Sequence, residues 1–218
     1  MVSLSLPQSL KYIGVSAFRD CSSLVSVDIP DGVSLVGENA FNGCTSLKHV
    51  TLPGNIDQIN GGVFGNCSSL DSIVIPNGVT DIGYSAFRYC SSLEYVVIPE
   101  TVVSISDGAF RGCALKDIYC FAEEAPLSEA TSVFVVMPFD NISETDVHVP
   151  AETREEYRNT YPWNEFNYIV ALTSDDYELG VKQVIQQDVR ARKVLIDGQM
   201  IIITPDGRRF SPAGQELR

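Results

Sequence analysis

Cys21-Ser22-Ser23-Leu24-Val25-Ser26-Val27-Asp28-Ile29-Pro30-Asp31-Gly32-Val33-Ser34-Leu35-Val36-Gly37-Glu38-Asn39-Ala40-Phe41-Asn42-Gly43 is followed by Cys44, where the same pattern begins again. Cysteine recurs at Cys21, Cys44, Cys67, Cys90 and Cys113. Phenylalanine recurs at Phe18, Phe41, Phe64, Phe87 and Phe110, and proline at Pro7, Pro30, Pro53, Pro76 and Pro99. Three residue types held in one register over five cycles define an internal repeat of 23 residues, which outranks every other signal in the chain.

Within one cycle, Val27 and Ile29 stand two apart, the mark of a half-buried strand. Pro30 ends that strand, because proline has no N–H to give to a ladder. A second apolar set follows, Val33, Val36, Ala40 and Phe41 in this cycle and Val79, Ile82, Ala86 and Phe87 in another. It returns the chain along the opposite side of a coil. One coil cannot bury its apolar side alone. Stacked coils can, since each Leu, Val, Ile and Phe meets its counterpart in the next. Strands of adjacent coils then pair in parallel at ~4.8 Å, and five cycles with a cap make a stack roughly 30 Å long. The expected fold is a solenoid, mostly strand and irregular structure.

The motifs Leu-x-x-Val-x-Ile-Pro and Ile-Gly-x-x-Ala-Phe-x-x-Cys at this period closely resemble the BspA-like class of leucine-rich repeats, over residues 1 to about 120. The resemblance implies a right-handed leucine-rich-repeat solenoid with a parallel sheet on its concave face. It also implies an exported or cell-surface protein, in a family found in Bacteroidetes, Treponema and some protists and associated with adhesion to host or bacterial surface proteins. Departures are small. Asn60 replaces the repeat glycine, Val63 replaces the alanine, and one residue is missing after Cys113, so Leu115 arrives early and marks the end of the array.

Five of the six cysteines share one repeat position, which argues against a disulfide framework. Each thiol is expected inside the coil at a tight corner, acting as a small hydrophobe and weak donor. A zinc site of the structural kind needs Cys-x-x-Cys or paired histidine spacing, and neither is present. Cys120 lies outside the register; its state is open, with a buried strand position the simplest reading.

Beyond residue 120 the period breaks. Val133-Phe134-Val135-Val136-Met137 and then Asp146-Val147-His148-Val149-Pro150 restore one more strand ending in proline. Ala151 to Arg158 reads as a short helix with acidic residues in its first turn. The order Val-Pro, tyrosine-bearing helix, Trp163-x-x-Phe166 resembles the C-terminal cap of the same family, so residues 121–170 are expected to cover the last coil, with Trp163 as a capping residue. In residues 171–218, Asp197-Gly198 between two apolar runs signals a hairpin, and Pro205-Asp206-Gly207 supplies the next turn. Together with Gly214-Gln215 this resembles short C-terminal β-modules of Bacteroidetes secreted proteins. An export or anchoring tag and a plain β-tail packed on the cap are both compatible with it.

The chain carries a net charge of −13, which excludes the basic footprint of nucleic-acid or anionic-membrane binding. The acidity is uneven: −5 over residues 1–120, −8 over 121–170 and zero over 171–218. No apolar run approaches the ~18 to 20 residues of a membrane helix. Residues 1–7 lack the basic and apolar regions of a signal peptide and enter the repeat part-way, so the sequence reads as a piece from which a leader is absent.

Chemistry is sparse. His49 and His148 lie far apart and neither belongs to a nucleophile motif, although Asp146 and His148 share one strand face. Asn60-Gly61-Gly62 has no phosphate-loop lysine after it, and Glu123-Glu124 and Asp175-Asp176 read as solvated pairs. No enzymatic activity, metal or cofactor is expected. Asp71-Ser72-Ile73 resembles a Bacteroidetes O-glycosylation site on three residues alone, and Asn66 and Asn141 lie in Asn-x-Ser triplets.

The concave face is the better place to look. Its outward strand positions are Ser26 and Asp28, His49 and Thr51, Ser72 and Val74, Tyr95 and Val97, Asp117 and Tyr119, then Asp146 and His148. They grade from small and polar to apolar and aromatic. Val74, Tyr95, Val97 and Tyr119, with His49, are the candidate contact residues for a protein or glycan partner. Against this stand a capping segment 121–145 folded over the same residues, and a spacer solenoid with no ligand of its own.

Overall fold

The computed structural model describes residues 2–128 and 137–176, and the backbone of the strands Arg192–Ile196, Gln199–Ile203, Arg209–Phe210 and Glu216–Leu217. The chain divides into two compact units, Met1–Ala171 and Leu172–Arg218.

The first unit is a parallel-strand β-solenoid. One face carries the strands Val2–Leu4, Leu24–Asp28, His49–Thr51, Ser72–Val74, Tyr95–Ile98, Asp117–Cys120, Asp146–Val149 and Tyr168–Ala171, one per coil. The first three form one parallel sheet and the last five another. The return side carries two-residue strands: Tyr12–Ile13, Leu35–Val36, Gln58–Ile59, Asp81–Ile82 and Ser104–Ile105. In each of these the second residue is buried and is the repeat's Val or Ile.

Pairing follows the period and exposes its two departures. Ser26 pairs with His49 and Ser72 with Tyr95, each 23 residues on. Tyr95 then pairs with Asp117, 22 on, so the residue missing after Cys113 shortens that coil. Ser104 bridges Leu127, 23 on, but Phe110 bridges Phe139, 29 on. Six residues are therefore inserted between Leu127 and Pro138. The stretch Val133–Val136, read above as part of a strand, falls there, outside the described residues. Around the insertion the coil path is kept: Phe121 N donates to Ile98 O, Leu127 N to Val103 O and Phe110 N to Pro138 O.

The core is a set of columns. Phe18, Phe41, Phe64, Phe87, Phe110 and Phe139 stack with ring centroids 5.2–5.6 Å apart and planes within 13° of parallel. Each such pair contributes about 0.5–1.5 kcal/mol beyond its area burial. Beside them the Cys44, Cys67, Cys90 and Cys113 thiols donate to the carbonyls of Phe18, Phe41, Phe64 and Phe87 at 3.1–3.3 Å, each 26 residues back. All six cysteines are free, and the five after Cys21 are buried. Burial pushes the Cys44 and Cys120 thiols up to about 11 and raises those of Cys67 and Cys90 well above their ordinary value. Cys21, in the first cysteine-bearing coil described, departs from the expectation: it is exposed.

Tight corners set the backbone. The repeat position of Ser16, Asn39, Gly62, Ser85 and Gly108 is left-handed in every coil (φ 55° to 63°), and so is that of Asp20, Gly43, Asn66, Tyr89 and Gly112 (φ 57° to 77°). Small polar residues and glycine tolerate that region; Tyr89 does not tolerate it as readily. At Gly37, by contrast, the constraint is space. A Cβ there would lie 2.6 Å from the Val15 backbone nitrogen of the preceding coil.

The cap ends the columns by turning. Trp163 tilts 49° from Phe139 at 5.4 Å, Phe166 meets Phe139 edge-on at 70°, and Tyr157 meets Trp163 edge-on. The Trp163 indole N–H donates to Pro126 O at 2.8 Å, and the Tyr157 hydroxyl to Ala122 O at 2.8 Å. Burial raises the Tyr157 phenol well above its ordinary range. The helix spans Arg154–Asn159, three residues later than its expected start, because Pro150–Thr153 forms a turn closed by Thr153 N on Pro150 O. A 3-10 turn, Trp163–Glu165, follows, and then a last strand, Tyr168–Ala171, that the sequence reading did not include.

In the second unit the described strands pair antiparallel in the order Arg192–Ile196, Gln199–Ile203, Arg209–Phe210, Glu216–Leu217. Ile196 pairs with Gln199, the register of a two-residue hairpin. Asp197-Gly198, Pro205-Asp206-Gly207 and Gly214-Gln215 themselves lie outside the described residues.

Candidate functional site

Within each sheet the ladder sets the outward residues in two rows: Ser26, His49 and Asp28, Thr51 in the first sheet, and Ser72, Tyr95, Asp117, Asp146, Tyr168 and Val74, Val97, Tyr119, His148, Val170 in the second. Neighbours along a row sit one strand spacing apart. His49 lies in the first sheet, two coils from Tyr95, three from Tyr119 and five from Tyr168. It is largely exposed and sits 4.0 Å from the Asp71 carboxylate, an exposed contact of small energetic weight.

Val74 and Val97 need correction as contact residues. Their place in the outward row is as expected, but they are 6% and 2% exposed. A short branched side chain between strands ~4.8 Å apart is overtopped by larger neighbours in the same ladder. For Val97 those include Tyr119 directly alongside. They build the floor of the surface and offer little of its area.

Tyr95 and Tyr119 are half-buried, and Tyr168, missed above, is 55% exposed. Its signal was the alternation Tyr168-Ile169-Val170-Ala171 just past the cap's Trp-x-x-Phe, 22 residues after Asp146. Between Tyr95 and Tyr168 lies a polar cluster. The His148 ring stacks on Tyr119 at 4.5 Å and 22°, and His148 Nε2 lies 3.0 Å from Asp117 Oδ1. Asp117 and Asp146 are register partners on adjacent strands. Next along the chain, the Lys116 ammonium is engaged by Glu94 at 2.8 Å. The C-terminal half of the face thus combines aromatic area, two carboxylates and an imidazole on a hydrogen-bonded ladder. The N-terminal half offers Ser26, Asp28, His49 and Thr51, with the Thr51 hydroxyl donating to Asp28 at 2.6 Å.

A family model of the BspA type leucine rich repeat region matches residues 1–116 in 6 copies. The chain belongs to this family. The BspA-type repeat also accounts for the stacked Cys, Phe and Leu columns, because a period set by coil length places like residues on like. Among solved structures, a leucine rich repeat protein of T. pallidum is 36% identical, with a TM-score of 0.52, covering 54% of this chain and 57% of its own. A leucine rich cell surface protein of Faecalibacterium prausnitzii A2-165 is 23% identical, with a TM-score of 0.52, covering 97% of this chain and 45% of its own. The pneumococcal vaccine antigen PcpA is 19% identical, with a TM-score of 0.61, over 78% and 41%. The last two share the fold. The BspA-type chain spans about half the length of these structures. No curated protein sequence matches it.

A repeat array of bacterial surface type supplies a surface for interaction, and this one has no helix among its described residues long and apolar enough to cross a membrane. Its face presents rings, carboxylates and an imidazole on a hydrogen-bonded frame.

Proposed function

We propose that this chain is a recognition module of an exported or cell-surface protein, binding a protein or glycan partner through the C-terminal half of its sheet face and catalysing no reaction. The observation that carries the reading is the patch Tyr95, Tyr119 and Tyr168 around Asp117 and His148, set on consecutive strands of one ladder. Tyrosine gives large contact area at low entropic cost, and carboxylates beside aromatic rings suit both sugar hydroxyls and basic side chains. The surface location is supported by the family and by the likeness to a leucine rich cell surface protein.

A glycan and surface-protein binding screen with the purified chain comes first. On any ligand found, Tyr95→Ala with Tyr119→Ala is expected to weaken binding at least ~10-fold while the melting temperature falls only a few degrees. Unchanged affinity would remove the face from the account and leave a spacer solenoid that displays other segments.

A further inference from the structure

We propose that Asp117, Asp146 and His148 form a binding site for a divalent transition-metal ion on the sheet face, independent of whether the tyrosine patch meets a partner. One donor atom from each of the three lies within 4.8 Å of the other two. The His148 Nε2 to Asp117 Oδ1 separation of 3.0 Å matches the edge between two ligands bonded to one ion at about 2.1 Å and near a right angle.

The positions are set by the frame rather than by loops. Asp117 and Asp146 are paired in parallel register, and Tyr119 pairs with His148 in the same ladder. Tyr119 stacks on the imidazole face at 4.5 Å and limits the ring's rotation. His148 and Asp117 have side chains only 16% and 36% exposed, so a charge held between them is weakly screened. Two carboxylates directly opposite each other in a ladder repel. The adjacent ammonium, Lys116, is already held by Glu94. A divalent cation offsets that repulsion in full, since its charge equals that of the two carboxylates together.

The donor set selects the metal. Calcium and magnesium take oxygen ligands, whereas an imidazole with carboxylates suits zinc, cobalt, nickel or manganese. Three protein donors leave coordination positions open toward the face, as in sites that accept an outside ligand. A carboxylate, an imidazole or a sugar hydroxyl brought by a partner has the chemistry to fill them.

The test uses the full chain carrying Cys21→Ser, which removes the one exposed thiol, stripped with a chelator and titrated with cobalt(II) and then zinc. One equivalent is expected to bind saturably, with visible cobalt absorption and no thiolate charge-transfer band. His148→Ala and Asp117→Asn are each expected to weaken binding ~10-fold or more, while His49→Ala keeps it. Thermal melts and circular dichroism of the metal-free variants establish that they fold. Asp146→Asn serves where either of the first two does not. Absence of saturable binding in the parent chain overturns the proposal, and so does binding that survives in every folded variant or that carries the thiolate band.

Discussion

Ser26 and Tyr95 occupy the same place in their coils, three turns apart, each on a strand paired in parallel on both sides and followed by the repeat's proline, and they have almost no chemistry in common. The N-terminal half of the sheet face is small, polar and open; the C-terminal half is aromatic and acidic, with a stacked histidine. The frame beneath them does not change: the Phe, Leu and Cys columns run through both halves. A repeat solenoid thus separates two kinds of residue. Those inside answer to their counterparts one coil away. Those outside answer only to whatever touches the face.

That separation can be attacked from the frame side first. Phe87→Ala removes a ring enclosed between Phe64 and Phe110, and about 3–5 kcal/mol of stability should go with it, read by denaturant unfolding. The loss should be alike at Phe64 in the next coil, since both lie inside the same column; a site-dependent cost would mean the two halves do not share one frame. Cys90→Ala removes the thiol donor at 3.1 Å from the buried Phe64 carbonyl, which keeps the Cys67 N–H, and should cost about 1 kcal/mol. Tyr89→Asn replaces a ring at a left-handed position with a residue that tolerates it, and a gain of up to about 1 kcal/mol is expected. Face residues come last. Tyr95→Ser, which gives the C-terminal half the residue of the N-terminal half, should change stability by about 1 kcal/mol or less, while removing any binding the patch provides.

The thiols sharpen the same division. Ellman's reagent should titrate about one thiol of six in the folded chain, Cys21, and all six after unfolding. Cys44 and Cys120 are raised to about 11 in the folded chain from an ordinary value near 9. The unfolded chain therefore releases those protons first, and stability should be full below about pH 9 and fall as pH rises from 9 toward 11. A flat profile across that window would mean that the thiols are not enclosed.

How much of this could be read from residues alone follows from the same division. The period and the inward columns were legible because a buried side chain is stacked on its own kind, so the structure repeats whatever the sequence repeats. Trp163 and Tyr157 drew notice because they stand in an order that resembles the family's C-terminal cap, and both are buried beyond the last stacked phenylalanine. The burial of Val74 and Val97 was not, since alternation says which way a side chain points and not how tall its neighbours stand. The strand at Tyr168, 22 residues after Asp146, was missed because it lacks the proline stop that marks the strand at Asp146–Val149. The left-handed corners were visible only as a scatter of Ser, Asn, Asp and Gly, with Tyr89 against the trend. The cluster of Asp117, Asp146 and His148 was half legible: its residues could be placed on one face, but the 3.0 Å approach across two strands depends on the 29-residue register that the insertion creates.

The bonds that join one coil to the next all point along the stack, and each coil is held by the same short list of them. Pulled along its axis, such a structure has no single point of failure and no long shear clamp. It gives way at an end, one turn at a time, and each turn released pays out 23 residues, about 80 Å of extended chain. Held by its two ends, the array is a ratchet of like steps, broken only where coils of 22 and 29 residues follow the last full repeat.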